Sequence, residues 1–112
     1  MYREFFLGFI KIHILYHASK GPVYGTALLE ELARHGYELS PGTLYPTLHR
    51  LHKEGYLQRE ARTEGGRVRK YYTATSQGCA ALEDARAKIA ELVREVLEDV
   101  PGPLDEPQAS SP

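Results

Sequence analysis

The sequence predicts a mainly α fold with a small β-hairpin: a winged helix-turn-helix followed by a long C-terminal dimerisation helix. Three observations carry this expectation. Helical periodicity recurs three times before Gly55, an alternating stretch folded about paired glycines follows, and a last helical repeat runs from Thr75 to a Pro-Gly-Pro break. At 112 residues, the chain has room for one domain and one core.

The first helix is expected over residues 4–17. Phe5, Phe6, Leu7, Phe9, Ile10, Ile12, Ile14 and Leu15 leave it little polar face. A helix apolar nearly all round must be buried on more than one side. A domain this small can hardly supply that cover alone, so a second copy of the chain is expected against it. Ser19-Lys20-Gly21-Pro22 then stops the helix with turn chemistry. A second helix spans about 24–35, with Tyr24, Ala27, Leu28 and Leu32 facing inward and Gly36 where a C-terminal cap belongs. Ser40 as N-cap and Pro41 at the first helical position open the third. Its Leu44, Leu48 and Leu51 form one buried stripe, and Gly55 ends it.

Beyond Gly55 the period changes to two. Residues 57–62 and 68–74 read as strands joined by the loop Thr63-Glu64-Gly65-Gly66-Arg67, whose adjacent glycines are free to take positive φ. Thr75 supplies the N-cap of a helix over 76–100. There Leu82, Ala85, Ile89, Leu92 and Val96 fall at 3-4-3-4 spacing, the seam of a short two-helix coil. Pro101-Gly102-Pro103 breaks that helix, and the acidic, Pro- and Ser-rich tail is expected to be disordered. The organisation expected is thus a winged helix-turn-helix over 1–75, a dimerisation helix over 76–100 and a tail over 101–112. Phe5, Phe6, Phe9, Leu82, Ala85, Ile89, Leu92, Val93 and Val96 are the expected dimer contacts.

A net charge of −1 conceals a polarised chain. Residues 41–75 hold seven bases (Arg50, Lys53, Arg59, Arg62, Arg67, Arg69, Lys70) against three acids, whereas 76–112 hold three bases against eight acids. That asymmetry suggests a basic working surface, although solvated faces would give the same charges. No stretch approaches the roughly 20 apolar residues of a membrane span, and no secretory cleavage site follows the start. Cys79 is the only cysteine, which fits a reducing, cytoplasmic location, and it reads as a small buried side chain. No Ser-His-Asp order, carboxylate pair or phosphate loop argues for an enzyme. His13 and His17 stand i, i+4, a spacing compatible with a metal, but the sequence offers them no third ligand, so neither metal nor cofactor is expected.

The third helix and the hairpin carry the chemistry of DNA recognition. A helix entering the major groove needs short or hydrogen-bonding side chains near its N-terminus, which Ser40, Gly42, Thr43 and Tyr45 provide. Pro46 shapes the helix start. His49, Arg50 and Lys53 can reach phosphates or bases from the exposed side, and Arg67, Arg69 and Lys70 can bring the hairpin to the backbone or minor groove. Strand alternation puts Arg69 and Tyr71 on one face, Lys70 and Tyr72 on the other, so only one pair can meet DNA. Tyr72 is placed among the candidate contacts. A winged-helix module binding an acidic protein partner is the competing reading of the same basic face.

Several strings resemble the PadR family of bacterial transcriptional regulators. They are Tyr24-Gly25, Ser40-Pro41-Gly42-Thr43-Leu44-Tyr45-Pro46, Glu54-Gly55-Tyr56-Leu57, Gly66-Arg67-Val68-Arg69-Lys70-Tyr71-Tyr72 and Thr75-Ser76-Gln77-Gly78. Their order and spacing resemble the compact branch of that family, with a single C-terminal helix. The resemblance implies a homodimeric repressor on a pseudo-palindromic operator, released by a small-molecule effector bound between subunits. Two departures stand out. Ala74 replaces a more usual leucine, and the chain has no tryptophan, so ligand sandwiching between tryptophans cannot be carried over.

Overall fold

In the computed structural model, which describes residues 2–105, local sequence signals set most element boundaries. Helix α1 (Tyr2–Lys20) is followed by a two-residue strand β1 (Val23–Tyr24), α2 (Gly25–Arg34) and α3 (Pro41–Lys53). Strands β2 (Leu57–Glu64) and β3 (Arg67–Ala74) form the wing, and α4 (Ser76–Leu92) runs into a π-helical turn (Val93–Leu97). The sheet is antiparallel with order β1-β3-β2. The architecture is the expected winged helix-turn-helix with a long C-terminal helix. Among the described residues, no helix is long and apolar enough to cross a membrane. The chain divides after Leu82 into two compact units.

In the first unit, one core joins every element. Ile10, Ile14, Leu15 and Ala18 of α1 meet Leu28 and Leu32 of α2, then Leu44, Leu48 and Leu51 of α3. Leu57 and Tyr72 close it from the sheet and Leu82 from α4. Complete burial of such a Leu or Ile contributes about 1.5–3 kcal/mol. The predicted stripe on α3 is therefore the core face of that helix.

Several expectations need correction. Strand β1 is too short to show a period of two, and it forms because Val23 and Tyr24 pair with Tyr72 and Tyr71 of β3. The hairpin loop is shorter than the five residues expected. Glu64 and Arg67 pair with each other, and Gly65 and Gly66 turn the chain with φ of 57° and 78°, the two positive values of a type I′ turn. Leu82 is 4% exposed and belongs to the subunit's own core, so it cannot also serve the coiled-coil seam. Cys79 is exposed, not buried, because the buried positions in its part of α4 are Gly78 and Leu82.

A knot of hydrogen bonds joins the wing to its flanking helices. The Thr75 hydroxyl donates to Gly55 O (2.6 Å) and accepts from Gly78 N–H (3.0 Å), capping α4. Thr75 N–H donates to Tyr56 O (3.1 Å), and Gln77 Nε2 reaches Glu54 O (3.3 Å). The His52 ring, with Nδ1 3.0 Å from Leu57 O, holds the end of α3 to the start of β2.

In the second unit, α4 continues to Leu92 and then widens. Glu98 N–H donates to Val93 O (2.9 Å), Val100 N–H to Arg94 O (2.9 Å), and Asp99 takes a left-handed φ of 53°. The helix thus ends short of residue 100, its last turn π-helical. Ile89, Leu92, Val96, Leu97 and Val100 are exposed, while Ala85 and Val93 are half-buried. Of the tail, 101–105 form a turn in which Gly102 N–H donates to the Asp105 carboxylate (3.1 Å). The rest of the tail, 106–112, lies outside the described residues.

Candidate nucleic-acid interface

Helix α3 has two chemically distinct sides. Leu44, Thr47, Leu48 and Leu51 are buried, while Gly42, Tyr45, Pro46, His49, Arg50 and Lys53 are exposed and Thr43 is half-buried. Ser40 sits at the N-cap with extended backbone (φ −80°, ψ 153°), and its carbonyl accepts from Thr43 and Leu44 N–H, both at 3.0 Å. Its hydroxyl turns to Thr43 Oγ1 (3.3 Å) and makes no bond to the backbone N–H groups of the first turn. That turn carries the partial positive charge of a helix N-terminus, suited to a phosphate. Pro46 removes one backbone donor inside the helix, and nearby the Thr47 hydroxyl donates to Thr43 O (2.8 Å).

Tyr45 is the link from α3 to α2. A Cβ added at Gly25 would run into the Tyr45 ring, so the bare backbone at the start of α2 is what lets that ring pack there. Tyr45 remains 44% exposed. A groove of about 320 Å³ opens beside it, with Tyr24 and Thr26 on one side and Arg67, Arg69 and Lys70 of the wing on the other.

The wing's own contacts sort its cations. The Arg69 guanidinium lies over the Tyr24 ring, 4.2 Å from its centroid, and 3.7 Å from Glu64. Arg62 covers Tyr71 at 4.5 Å, and the Tyr71 hydroxyl donates to the Glu64 carboxylate (2.8 Å). Tyr24 and Tyr71 meet edge to face. Arg69 is therefore held in place by stacking and an ion pair. Arg67 and Lys70 are exposed, and among the described residues neither has an ion-pair partner.

Ser40, Gly42, Tyr45, Pro46, His49, Arg50 and Lys53 thus share an exposed strip with Thr43 at its edge, and Arg67, Arg69 and Lys70 border the adjoining groove. Tyr72 is the exception. It is 4% exposed in the core, because alternation along β3 turns it inward between Val23 and Arg59, and it is unavailable to DNA. Tyr24 was not legible as a groove residue, since β1 leaves no periodic trace, and Thr26, on the exposed side of α2, carries no signal of its own. Away from this face, the structure supplies a third potential ligand for His13 and His17 that the sequence does not offer: His35, at the C-cap of α2. An i, i+4 pattern within α1 could not reveal a residue on another helix.

Known proteins share this sequence and fold. The profile of the transcriptional regulator PadR-like family matches residues 14–84. The chain is 53% identical over 95 residues to the transcriptional regulator Rv3488 of Mycobacterium tuberculosis, spanning 85% of this chain and 89% of that protein. Among solved structures, a PadR family transcriptional regulator from Eggerthella lenta is 34% identical with a TM-score of 0.75, covering 88% of this chain and 87% of that one. A PadR-like transcriptional regulator from Bacillus cereus is 32% identical with the same TM-score, covering 85% of this chain and 94% of that one.

Proposed function

The chain belongs to the PadR-like family of transcriptional regulators, and from that premise we propose that it is a cytoplasmic repressor binding double-stranded DNA as a homodimer. The observation that carries this reading is the exposed strip of α3, from Gly42 to Lys53, running beside a groove edged by the wing cations Arg67, Arg69 and Lys70. Helix α3 enters the major groove with Gly42, Thr43, Tyr45 and His49 toward base edges, and Arg50 and Lys53 toward phosphates. Arg67 and Lys70 meet the backbone or minor groove, and Arg69 braces the wing against Tyr24. Two-fold symmetry then asks for a pseudo-palindromic operator with half-sites about one helical turn apart.

The test is fluorescence anisotropy with operator DNA selected from a random pool, across a salt series. Log affinity is expected to fall linearly and steeply with log salt, because released counterions drive phosphate binding. Replacing Arg67 and Lys70 by alanine together is expected to weaken binding to every sequence. The salt slope should fall by about one for each phosphate that is no longer neutralised. An unchanged slope would remove the wing from the mechanism. Binding to neither the selected operator nor random DNA, even at low salt, would reassign the basic face to an acidic protein partner.

A further inference from the structure

Helices α1 and α2 face each other with two i, i+4 pairs: His13 and His17 on α1, and Glu31 on α2 with His35 at its C-cap. One nitrogen from each of the three imidazoles lies within 4.8 Å of the others. The His13 and His35 rings stack with centroids 4.9 Å apart. His35 Nε2 is 3.2 Å from Glu31 Oε1, and His17 Nε2 is 3.8 Å from the same oxygen. Three imidazoles therefore converge between two helices that share one core, and the Glu31 carboxylate lies beside two of them, His17 and His35.

The cluster is not satisfied by its own hydrogen bonds. His17 Nε2 is buried and has no hydrogen-bond partner. A buried polar atom left this way calls for a missing ligand or water. Protonating the rings is no remedy, since three adjacent imidazolium groups would repel. Burial first, then the neighbouring His35 and His17, hold the His13 imidazole below its ordinary range. Glu31 supplies negative charge beside them: its carboxyl meets some desolvation, but Arg34, His35 and His17 together hold it below the usual carboxylate range.

We propose that His13, His17, His35 and Glu31 bind one divalent ion of the zinc class, cross-linking α1 to the C-terminal end of α2. Neutral imidazole and carboxylate suit zinc, cobalt and nickel, and three nitrogens with one oxygen make a closed tetrahedral set. Around zinc, ligand atoms stand about 3.3 Å apart, so the three nitrogens, now within 4.8 Å of one another, must draw closer to hold the ion. Glu31 would exchange the contact of its Oε1 with His35 Nε2 (3.2 Å) for the metal, while its Oε2 keeps Arg34 (3.1 Å). This site lies apart from the groove at Tyr45, and its test needs no DNA.

The experiment uses the full chain without a polyhistidine tag, stripped with a chelator and titrated with Zn²⁺ and Co²⁺ near neutral pH. One ion per chain is expected after dialysis, with the visible absorption of four-coordinate cobalt and a higher Tm on adding zinc. Loss of an outer partner of a metal ligand already costs about 10–100-fold in affinity, so His35→Ala and His13→Ala are each expected to cost more than about 100-fold. His35 is exposed, so its replacement tests the site without threatening the fold. Cys79→Ser is expected to change nothing. Undiminished zinc binding by His35→Ala, loss of binding in Cys79→Ser, or a six-coordinate cobalt spectrum would each overturn the proposal.

Discussion

Two glycines show how the same substitution has different consequences at different sites. At Gly78, inside α4, alanine would ordinarily help the helix by about 0.5–1 kcal/mol. Here its Cβ would run into the backbone carbonyl of Tyr56, which the Thr75 N–H also holds. Overpacking typically costs about 1–3 kcal/mol, so Gly78→Ala is expected to lower stability in urea melts. At Gly25 the obstacle is the half-exposed ring of Tyr45, which can swing away. Gly25→Ala is therefore expected to keep its melting behaviour while weakening operator affinity in anisotropy, because Tyr45 is displaced from its place. The two outcomes separate a packing glycine from a positioning one. Neither role could be read from the sequence, where both residues are simply glycines at helix starts. The burial of Leu44, Leu48 and Leu51 was legible, because helical spacing reports it directly. That of Tyr72 was not, since two adjacent tyrosines in a strand give no sign of which one faces the core.

At the scale of elements, α3 and the wing stand on different footings. Helix α3 is secured by its buried stripe, in which Leu48 is 0% exposed. Leu48→Ala is expected to cost about 2–5 kcal/mol, read as a lower midpoint of the cooperative thermal transition. The wing tip depends on backbone geometry instead. Gly65 and Gly66 both hold positive φ, where an L side chain costs roughly 1–2 kcal/mol. Replacing both with valine should loosen the tip, seen as faster amide exchange at Glu64 and Arg67, with the core amides unchanged. Caps and breakers announced the limits of α2 and α3. Strand β1 and the π-helical turn were not announced, because both depend on partners or hydrogen-bond shifts that leave no periodic mark. The His13, His17, His35 and Glu31 cluster was half visible for the same reason: each i, i+4 pair lies on its own helix, and only packing brings them together.

For the whole molecule, apolar surface is the feature that asks for a second copy. Phe5, Phe6 and Phe9 on α1 are each about half exposed, as are Leu92 and Val96 in the second unit. Covering such surface gains about 25 cal/mol per Å², which is why association is the expected outcome. Light scattering of the wild-type chain should give twice the monomer mass, and Leu92→Glu with Val96→Glu should give the monomer. Because both residues are exposed within the chain, circular dichroism should be unaffected. The knot at Thr75 has a different consequence. The chain leaves Gly55 along the wing and returns to bond Gly55 O through Thr75, so the hairpin begins and ends at one fixed point. A hairpin anchored in this way behaves like a detachable tool on a fixed handle: its reach can lengthen or shorten at the Gly65-Gly66 tip while the helices it joins keep their places. Changes of length at that tip can therefore alter how far the wing extends without retuning the core.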